Sequence, residues 1–156
     1  MTGTSTFRLR PLEPRDVDTV AHFEREIAKV SFPDDPITDL GFYAKKVTQW
    51  LNNKDSAAIV ADSPDGVVGW AYVSQRHNFI TKEAYGDFHS IYISPSFRGS
   101  GVAGQLTQAV FDFCRSRGLP RVVFRTRATN ERMKAVLARS GFVPTQIYYE
   151  KPLDSG

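Results

Sequence analysis

Ile-Tyr-Ile-Ser-Pro-Ser-Phe-Arg-Gly-Ser-Gly-Val-Ala-Gly, residues 91–104, is the stretch that decides the fold of this chain. Its apolar start ends at Pro95, glycines follow at positions 99, 101 and 104, and apolar residues then recur at helical spacing as far as Cys114. This pattern predicts a strand, a loop and a helix that begins near Val102. The first N–H groups of a helix have no intrahelical acceptors and lie at the positive end of its dipole, so the loop is suited to binding phosphate.

The glycine spacing is compatible with more than one kind of phosphate-binding loop. Gly99, Gly101 and Gly104 satisfy the G-x-G-x-x-G spacing of dinucleotide-binding folds, but the first glycine does not follow the strand directly and no carboxylate follows about 20 residues on. In place of that carboxylate, Arg125 or Arg127 can bind the 2′-phosphate of NADP, so an NADP-binding protein stays as an alternative. No Lys-Ser or Lys-Thr closes the motif, which excludes a P-loop. A plain connecting turn needs fewer glycines than this.

Length and composition indicate one soluble globular domain. The 156 residues are enough for a core without disulfide or metal support, so residues 1–156 are expected to form a single domain. Hydrophobic residues make up 41% and charged residues 24% of the chain, as in ordinary globular proteins. The net charge is +3 and the basic residues are scattered singly. Nucleic-acid binding is therefore not indicated, whereas a ligand with several phosphates suits the positive balance.

The cysteine content and the hydropathy of the chain indicate the cellular compartment in which the protein works. Cys114 is the only cysteine, and its place on an apolar helix stripe predicts a core residue rather than a nucleophile. A chain without disulfides fits a reducing compartment, so we expect a cytoplasmic protein. Residues 1–10 lack the apolar segment of a signal peptide, and no apolar run approaches the ~20 residues that a membrane span requires.

Periodicity and breakers predict the remaining elements. Strands are expected where apolar residues alternate with polar ones, and helices where apolar residues recur every three or four positions. In chain order, the prediction is a strand at 7–10, helices at 14–30 and 38–51, a hairpin at 57–73, a polar connector at 76–86, a strand at 88–93, a helix at 102–117, a strand at 121–126, a helix at 130–140 and a strand at 146–151.

This order of elements implies the α/β class, with a mixed sheet and helices on both of its faces. The strand at 88–93, the helix at 102–117 and the strand at 121–126 are expected to form one right-handed parallel crossover.

Three stretches resemble one family in their residues, order and spacing. They are the stretch 91–104, the pair Asn130 and Gly141-Phe142, and the opening Phe-Arg-Leu-Arg-Pro-Leu-Glu-Pro-Arg-Asp at Phe7 to Asp16. Together they resemble the GNAT superfamily, the acetyl-coenzyme A-dependent N-acetyltransferases, over nearly the whole chain. The resemblance implies a mostly antiparallel, twisted sheet with a central parallel β-α-β crossover.

The resemblance also implies a site for acetyl-CoA as co-substrate, with no metal. The backbone of Ile91, Tyr92 and Ile93 would pair with the pantetheine arm, as an added strand would. Asn130 matches the family's asparagine near the pantetheine, and asparagine is also well suited to cap a helix. The pyrophosphate would be bound by the loop residues Arg98, Gly99, Ser100, Gly101, Val102, Ala103 and Gly104.

A base is needed because the attacking amine must be neutral. Many relatives carry a glutamate four residues before the last apolar residue of the central strand, and His89 stands at that position. Histidine titrates near neutrality, which suits the task. Asp87 can be the base instead or can orient His89. Alternation along a regular strand predicts that residues 87, 89, 91 and 93 share one face, with His89 one step from the thioester.

The tyrosine that acts as general acid in many relatives is absent from its usual position in this chain. Relatives usually carry tyrosine seven residues after the asparagine, whereas this chain has Leu137. Tyr148 or Tyr149 on the predicted last strand can supply the proton instead. A thiol has a pKa near ~8.5, so the thiolate can also leave without an acid, which is the interpretation we favour.

The acceptor is less well defined by the sequence. Acetylases of ribosomal-protein N-termini carry a glutamate where this chain has Arg125, so that subfamily is not favoured. The segments 31–38 and 76–86 are expected to line the acceptor side, and only 14 residues follow Phe142, so a homodimer is one way to complete the site. Carboxylates available to attract a cationic amine, or to form a solvated face, are Glu24, Glu26, Asp34 and Asp35.

The sequence therefore predicts an N-acetyltransferase that moves acetyl to a primary amine of a small molecule or peptide by direct attack in a ternary complex. A module that binds an acyl-coenzyme A without turnover is the alternative, because the usual tyrosine is absent.

Overall fold

The computed structural model describes residues 6–154 and divides the chain into two compact units. The first unit contains the described residues up to Arg125, and the second begins at Thr126. The expectation of a single domain stays a prediction.

The helices and strands follow the predicted order through most of the chain. Within residues 6–154, no helix is both long enough and apolar enough to cross a membrane. The elements are β1 (Arg8–Pro11), α1 (Val17–Ser31), α2 (Leu40–Leu51), β2 (Ser56–Ser63), β3 (Gly66–His77), β4 (Ala84–Ile93), α3 (Val102–Ser116) and β5 (Val122–Val123) in the first unit, and α4 (Glu131–Arg139) in the second.

The strands form one open, mixed sheet in the order β1-β2-β3-β4-β5. Pairing is antiparallel from β1 to β4, while β4 and β5 pair in parallel through the crossover helix α3. The mixed α/β fold and the parallel crossover are thus confirmed. Among the described strands β5 lies at the edge of the sheet, so the crossover is at an edge and not in the centre.

Aromatic side chains form the core between the sheet and the first two helices. Trp70 is fully buried, and the Trp50 ring stacks on Trp70 with centroids 5.8 Å apart and on Tyr72 at 4.5 Å. These rings join α2 to the face of β3 from which Trp70 and Tyr72 project. The buried members of this cluster are Leu12, Val20, Phe23, Val47, Val60, Trp70 and Tyr72.

Helix α3 packs against the opposite face of the sheet. Its apolar stripe is buried at Val102, Leu106, Val110 and Cys114, as the helical spacing predicted. Burial raises the pKa of the Cys114 thiol, which disfavours the reactive thiolate. The structure therefore has helices on both faces, and Cys114 belongs to the core.

The polar connector expected at 76–86 is shorter than predicted. β3 continues to His77 and β4 already begins at Ala84, so only residues 78–83 connect the two strands. Asn78 closes the short turn between them, because its N–H donates to the Glu83 carbonyl at 2.8 Å and its side chain accepts the N–H of Ile80 at 2.8 Å. At the ends of β3 and β4, the backbone hydrogen bonds between the two strands outweigh the polar composition that suggested a loop.

Two predicted strands are shortened or absent. The strand expected at 121–126 is confined to Val122–Val123, and residues 146–151 form no strand. Ile147, Tyr148 and Tyr149 are exposed by 77%, 87% and 84%. Alternating apolar residues form a strand only where a neighbouring strand can hydrogen-bond to their backbone. No described strand pairs with this segment.

Gly86→Ala tests the close approach of α3 to the sheet. A Cβ on Gly86 would lie 2.5 Å from Cys114 Sγ, so we expect the substitution to lower the free energy of unfolding by about 1–3 kcal/mol. Urea denaturation measures this change. In a Cys114→Ala background the sulfur is gone, and the same substitution should cost far less; equal costs in both backgrounds would contradict the packing described.

Candidate active site

The glycine loop leaves open space in front of the start of α3. Gly99 and Gly101 have φ angles of +85° and +92°, in the left-handed region that favours glycine. A Cβ built on Gly99, Gly101 or Gly104 would meet no heavy atom within 4 Å. The glycines are therefore not needed for packing within the chain, and they leave the backbone accessible to a ligand.

The N-terminus of α3 carries backbone donors without a side-chain cap. Gly101 is the N-cap residue and has no side chain to accept the first N–H groups. The first helical hydrogen bond runs from the Gln105 N–H to the Gly101 carbonyl at 3.1 Å. Helix geometry leaves the amides of residues 101–104 without intrahelical acceptors, so they suit an anionic group such as a pyrophosphate.

Arg98 ties the loop to the end of β4. Its Nε donates to the Ile93 carbonyl at 3.1 Å, and its guanidinium lies 5.8 Å from the centre of the Tyr92 ring. Ser100 Oγ donates to the Phe97 carbonyl and closes the turn before Gly101. The loop thus has a fixed conformation beside the strand end, with a permanent positive charge at its edge.

β4 has a free edge next to this loop. β5 pairs with β4 only at Gly86, opposite Val122, and at Asp87, opposite Val123. Beyond that point no described strand pairs with this edge of β4, although β4 continues to Ile93. An extended ligand can therefore pair with the backbone at residues 91–93, as an added strand would.

A β-bulge at His89 changes the direction of the side chains along β4. Tyr72 lies opposite Ser90 and Val73 opposite Phe88, so His89 is the extra residue without a partner on β3. Ser90 and His89 therefore both contact groups on the side of α1 and α2. Ile93 instead packs toward Val102 of α3.

The expectation that residues 87, 89, 91 and 93 share one face is thus wrong. The bulge shifts the alternation by one residue, which places Ile91 and Ile93 on the face opposite to His89.

His89 is exposed, and its ring lies beside the Ser90 hydroxyl and is tilted against the ring of Trp50. Its Nδ1 lies 3.1 Å from Ser90 Oγ, and its ring centre lies 4.8 Å from that of Trp50. The pKa of His89 is lowered from 6.5, chiefly by partial burial and also by the positive charge of Lys46, while Asp87 opposes the shift. The ring is therefore neutral, and able to accept a proton, at neutral pH.

Asp87 is buried and is held by two arginines. Its Oδ2 lies 3.2 Å from Arg76 Nε and its Oδ1 lies 3.4 Å from Arg125 Nη1, and the residue is 7% exposed. His89 hydrogen-bonds to Ser90 and not to Asp87. The residue that replaces the glutamate of the ribosomal-protein acetylases, Arg125, thus has a structural partner in this chain.

Glu24, predicted from the sequence to attract a cationic amine or to lie on a solvated face, is instead buried. It is 5% exposed, its Oε2 accepts from Trp70 Nε1 at 3.2 Å, and its Oε1 accepts from Ser90 Oγ at 3.1 Å. Burial raises its pKa to about 7, against the opposing effects of Ser90, Lys46 and Trp70. It is neither part of a solvated face nor a surface carboxylate.

The sequence did contain a signal for this burial. Glu24 lies four residues after Val20 and three before Ile27, which places it on the apolar stripe of α1. A carboxylate within an apolar stripe indicates a buried partner.

The other three carboxylates expected to attract a cationic amine lie at the surface or pair locally. Glu26 pairs with Lys29 at 3.0 Å along the same helix. Asp34 and Asp35 are exposed in the turn between α1 and α2. Only these last two match the expected attraction of a cationic acceptor at a surface.

The second unit carries three further sequence-predicted residues. Asn130 caps α4, since its Oδ1 accepts the Met133 N–H at 3.1 Å, so the capping interpretation is confirmed. Leu137 is half-buried in α4, and its carbonyl accepts the Phe142 N–H at 3.0 Å. Tyr148 is 87% exposed in the irregular segment after α4.

Comparison with known proteins agrees with this fold and loop. The model of the acetyltransferase (GNAT) family matches residues 18–142. The aminoglycoside N(6′)-acetyltransferase type 1 of Stenotrophomonas maltophilia is 29% identical over 127 residues, which cover 78% of this chain and 78% of that protein. The mycothiol acetyltransferase of Beutenbergia cavernae is 28% identical over 90 residues, 58% of this chain and 29% of that protein.

A solved structure shows the same fold over almost the entire length. The aminoglycoside N-acetyltransferase AAC(6′)-Iy in complex with coenzyme A superposes with a TM-score of 0.78 and 22% identity, covering 98% of this chain and 99% of that one. Because the family model spans most of the chain, including the glycine loop and the bulged strand, this protein belongs to the GNAT family of acetyltransferases.

Proposed function

We propose that this acetyltransferase moves acetyl from acetyl-CoA to a primary amine of a small molecule, and that the bulge of β4 is the centre of its site. The observation that carries the proposal is the juxtaposition in the first unit of an open glycine loop, a free strand edge and an exposed neutral imidazole. Each element suits one part of the reaction: a pyrophosphate, a pantetheine arm and an amine that must lose a proton.

Acetyl-CoA binding is proposed to use backbone more than side chains. The amides of residues 99–104 would receive the pyrophosphate, and Arg98 would add charge at its edge. The free edge at Ile91, Tyr92 and Ile93 would pair with the pantetheine and donate an N–H to the thioester carbonyl as negative charge develops there. Asn130 is proposed to contact the pantetheine in addition to capping α4.

The chemical step follows from these groups. The amine nitrogen attacks the thioester carbonyl carbon, a C–N bond forms, and the C–S bond then breaks, with its electron pair leaving on the coenzyme A sulfur. The proton lost by the amine goes to His89. Asp87, bound by two arginines, is proposed to hold the strand rather than to take the proton.

Departure of the sulfur is proposed to need no general acid. Leu137 cannot donate a proton, and a thiolate is a tolerable leaving group at neutral pH. The alternative proton donors are the hydroxyls of Tyr148 and Tyr149, whose side chains are exposed.

The acceptor is proposed to be a small cationic amine, for which aminoglycosides are the first compounds to test. The sequence relative with the higher coverage is named as an aminoglycoside acetyltransferase, and Asp34 and Asp35 are exposed between α1 and α2 to attract positive charge. We further propose that the protein works in the cytoplasm, a reducing compartment that suits its single, buried and unpaired cysteine. A homodimer is proposed as the form in which the acceptor site is complete.

Release of free thiol from acetyl-CoA is the direct test of this function. We expect release only when an amine is present, and faster release with an aminoglycoside than with a simple monoamine or a peptide α-amine. Acetyl-CoA that binds, as measured by calorimetry, but releases no thiol with any amine would favour the non-catalytic acyl-coenzyme A module.

Gly104→Val tests the anion loop without straining the backbone. Gly101 has a φ of +92°, so a side chain there would disturb the loop itself, whereas Gly104 is helical and faces open space. A valine at 104 should weaken coenzyme A binding ~100-fold, about 3 kcal/mol, by excluding the phosphates from the amides. Gln108→Val, at an exposed position of the same helix, is the matched control. Equal affinities of the two variants for coenzyme A would show that the loop does not bind the coenzyme.

His89→Ala tests the proton acceptor through the pH dependence of kcat/KM. A neutral ring is the active form, so the rate should rise with pH through the lowered pKa of His89, below 6.5. The variant should lose this rise and about 100-fold of activity, while any rise at higher pH from the acceptor's own ammonium remains. His77→Ala, at the exposed end of β3, should change neither. An unchanged profile in His89→Ala beside an inactive, folded Asp87→Asn enzyme would assign the role to Asp87.

A further inference from the structure

A continuous chain of hydrogen bonds leads from α1 to the bulge of β4. Trp70 Nε1 donates to Glu24 Oε2 at 3.2 Å, Ser90 Oγ donates to Glu24 Oε1 at 3.1 Å, and His89 Nδ1 lies 3.1 Å from the same Ser90 oxygen. Glu24 and Ser90 are 5% and 2% exposed, so solvent does not compete for these bonds. The chain ends at an exposed imidazole.

The donors and acceptors in this chain can be assigned by elimination. An indole nitrogen can only donate, and an ionised carboxylate can only accept. Ser90 has a single hydroxyl proton, which is used in the bond to Glu24. Its oxygen can therefore only accept from His89, so Nδ1 must carry the ring proton. The other ring nitrogen, Nε2, is then left unprotonated, and it makes no hydrogen bond to any residue from 6 to 154.

We propose that Glu24 is a positioning residue, which acts through Ser90 to hold His89 in the tautomer whose Nε2 accepts the proton of the substrate amine. This inference rests on the proposed role of His89 as the base. Glu24 itself does not contact the reacting atoms.

The bulge is what makes this arrangement possible. Consecutive residues of a regular strand point to opposite faces, so His89 and Ser90 could not otherwise interact on one side. The Trp50 ring, 4.8 Å from the His89 ring, supports it from α2. The ring is thus fixed by a neighbour on its own strand and by a residue of a packed helix.

The same hydrogen bonds serve both protonation states of His89. When Nε2 takes a proton from the amine, Nδ1–H still donates to Ser90, and the serine still donates to the carboxylate. No bond has to reorganise during the transfer, which is the condition for a preorganised base. The proton then leaves from the exposed ring to water, and the ring returns to its starting state.

Charged groups around the chain support an ionised Glu24 and a neutral His89 at pH 8. Glu24 has a pKa of about 7, and His89 has a pKa lowered from 6.5. The charged groups that shift the pKa values of these two residues are Lys46, Arg76, Asp87 and Arg125. Burial and the charge of Glu24 raise the pKa of Tyr43, and Arg25 opposes this rise.

Nitrogen-15 NMR of the imidazole rings at pH 8 tests the tautomer directly. The protonated and unprotonated nitrogens of a neutral ring have well separated shifts, and the His89→Gln variant assigns the signals of this ring among the three histidines. We expect His89 of the wild-type protein to carry its proton on Nδ1. In Glu24→Gln, the amide oxygen must accept from Trp70 and the amide NH2 then donates to Ser90. The serine proton turns to Nδ1, and the tautomer should switch to Nε2–H.

Kinetics at pH 8 test whether the tautomer matters for catalysis. Glu24→Gln and Ser90→Ala should each lower kcat ~10-fold or more, within the contribution of a general base, with the KM for acetyl-CoA unchanged. In a His89→Ala background, Glu24→Gln should have no further effect on kcat, because it acts through the ring. Ser74→Ala is the matched control, since Ser74 Oγ is also buried but makes no hydrogen bond within residues 6–154.

Three results would overturn the proposal. The first is a wild-type His89 protonated on Nε2, and the second is a tautomer that does not change in a folded Glu24→Gln protein. The third is a loss of kcat in Glu24→Gln that is equally large with and without His89. Failure of the proposed function looks different: thiol release would be absent with every amine, while the NMR signals would still show which tautomer Glu24 selects.

Discussion

The bulge at His89 is the constraint on which the rest of the candidate site depends. One extra residue in β4 shifts the alternation of side chains, so Asp87 and His89 keep to one face while Ile91 and Ile93 pack toward α3. The same strand therefore supplies core residues to one helix layer and polar groups to the other. Because the irregularity precedes residues 91–93, it also separates the strand end that is free for a ligand from the part that pairs with β5.

Glycines serve two purposes around helix α3. One lets the helix pack closely on the sheet, and the others leave the loop backbone accessible to a ligand. The absence of a side chain at Gly86 makes room for Cys114. The loop glycines, in contrast, face open space that no other part of the described chain fills. This difference separates a structural glycine from one that keeps backbone donors accessible. The first donors of a helix are uncapped in any case, so their use for an anion, as proposed for the start of α3, costs little.

The charges of the site are arranged in two separate groups. Asp87 is neutralised by Arg76 and Arg125, which fixes the strand without a free carboxylate near the ring. Glu24 of α1 belongs to the second group, in which it is buried and accepts hydrogen bonds from Ser90 and Trp70. A single exposed imidazole is left between them, with a pKa lowered by burial and by Lys46. The environment rather than the residue type decides which of these three groups is free to accept a proton.

The sequence by itself determined the family, the order of most elements, the glycine loop before α3 and the histidine on the strand before that loop, because these features are local in the chain. Spacing and turn residues encode local structure directly. Only the tertiary structure decided the bulge, the length of the β3–β4 hairpin, the absence of a strand at 146–151 and the burial of Glu24. Each of these depends on which distant segment offers a hydrogen bond. Glu24 and Ser90 are 66 residues apart, so no pattern within one window of sequence reveals that they meet.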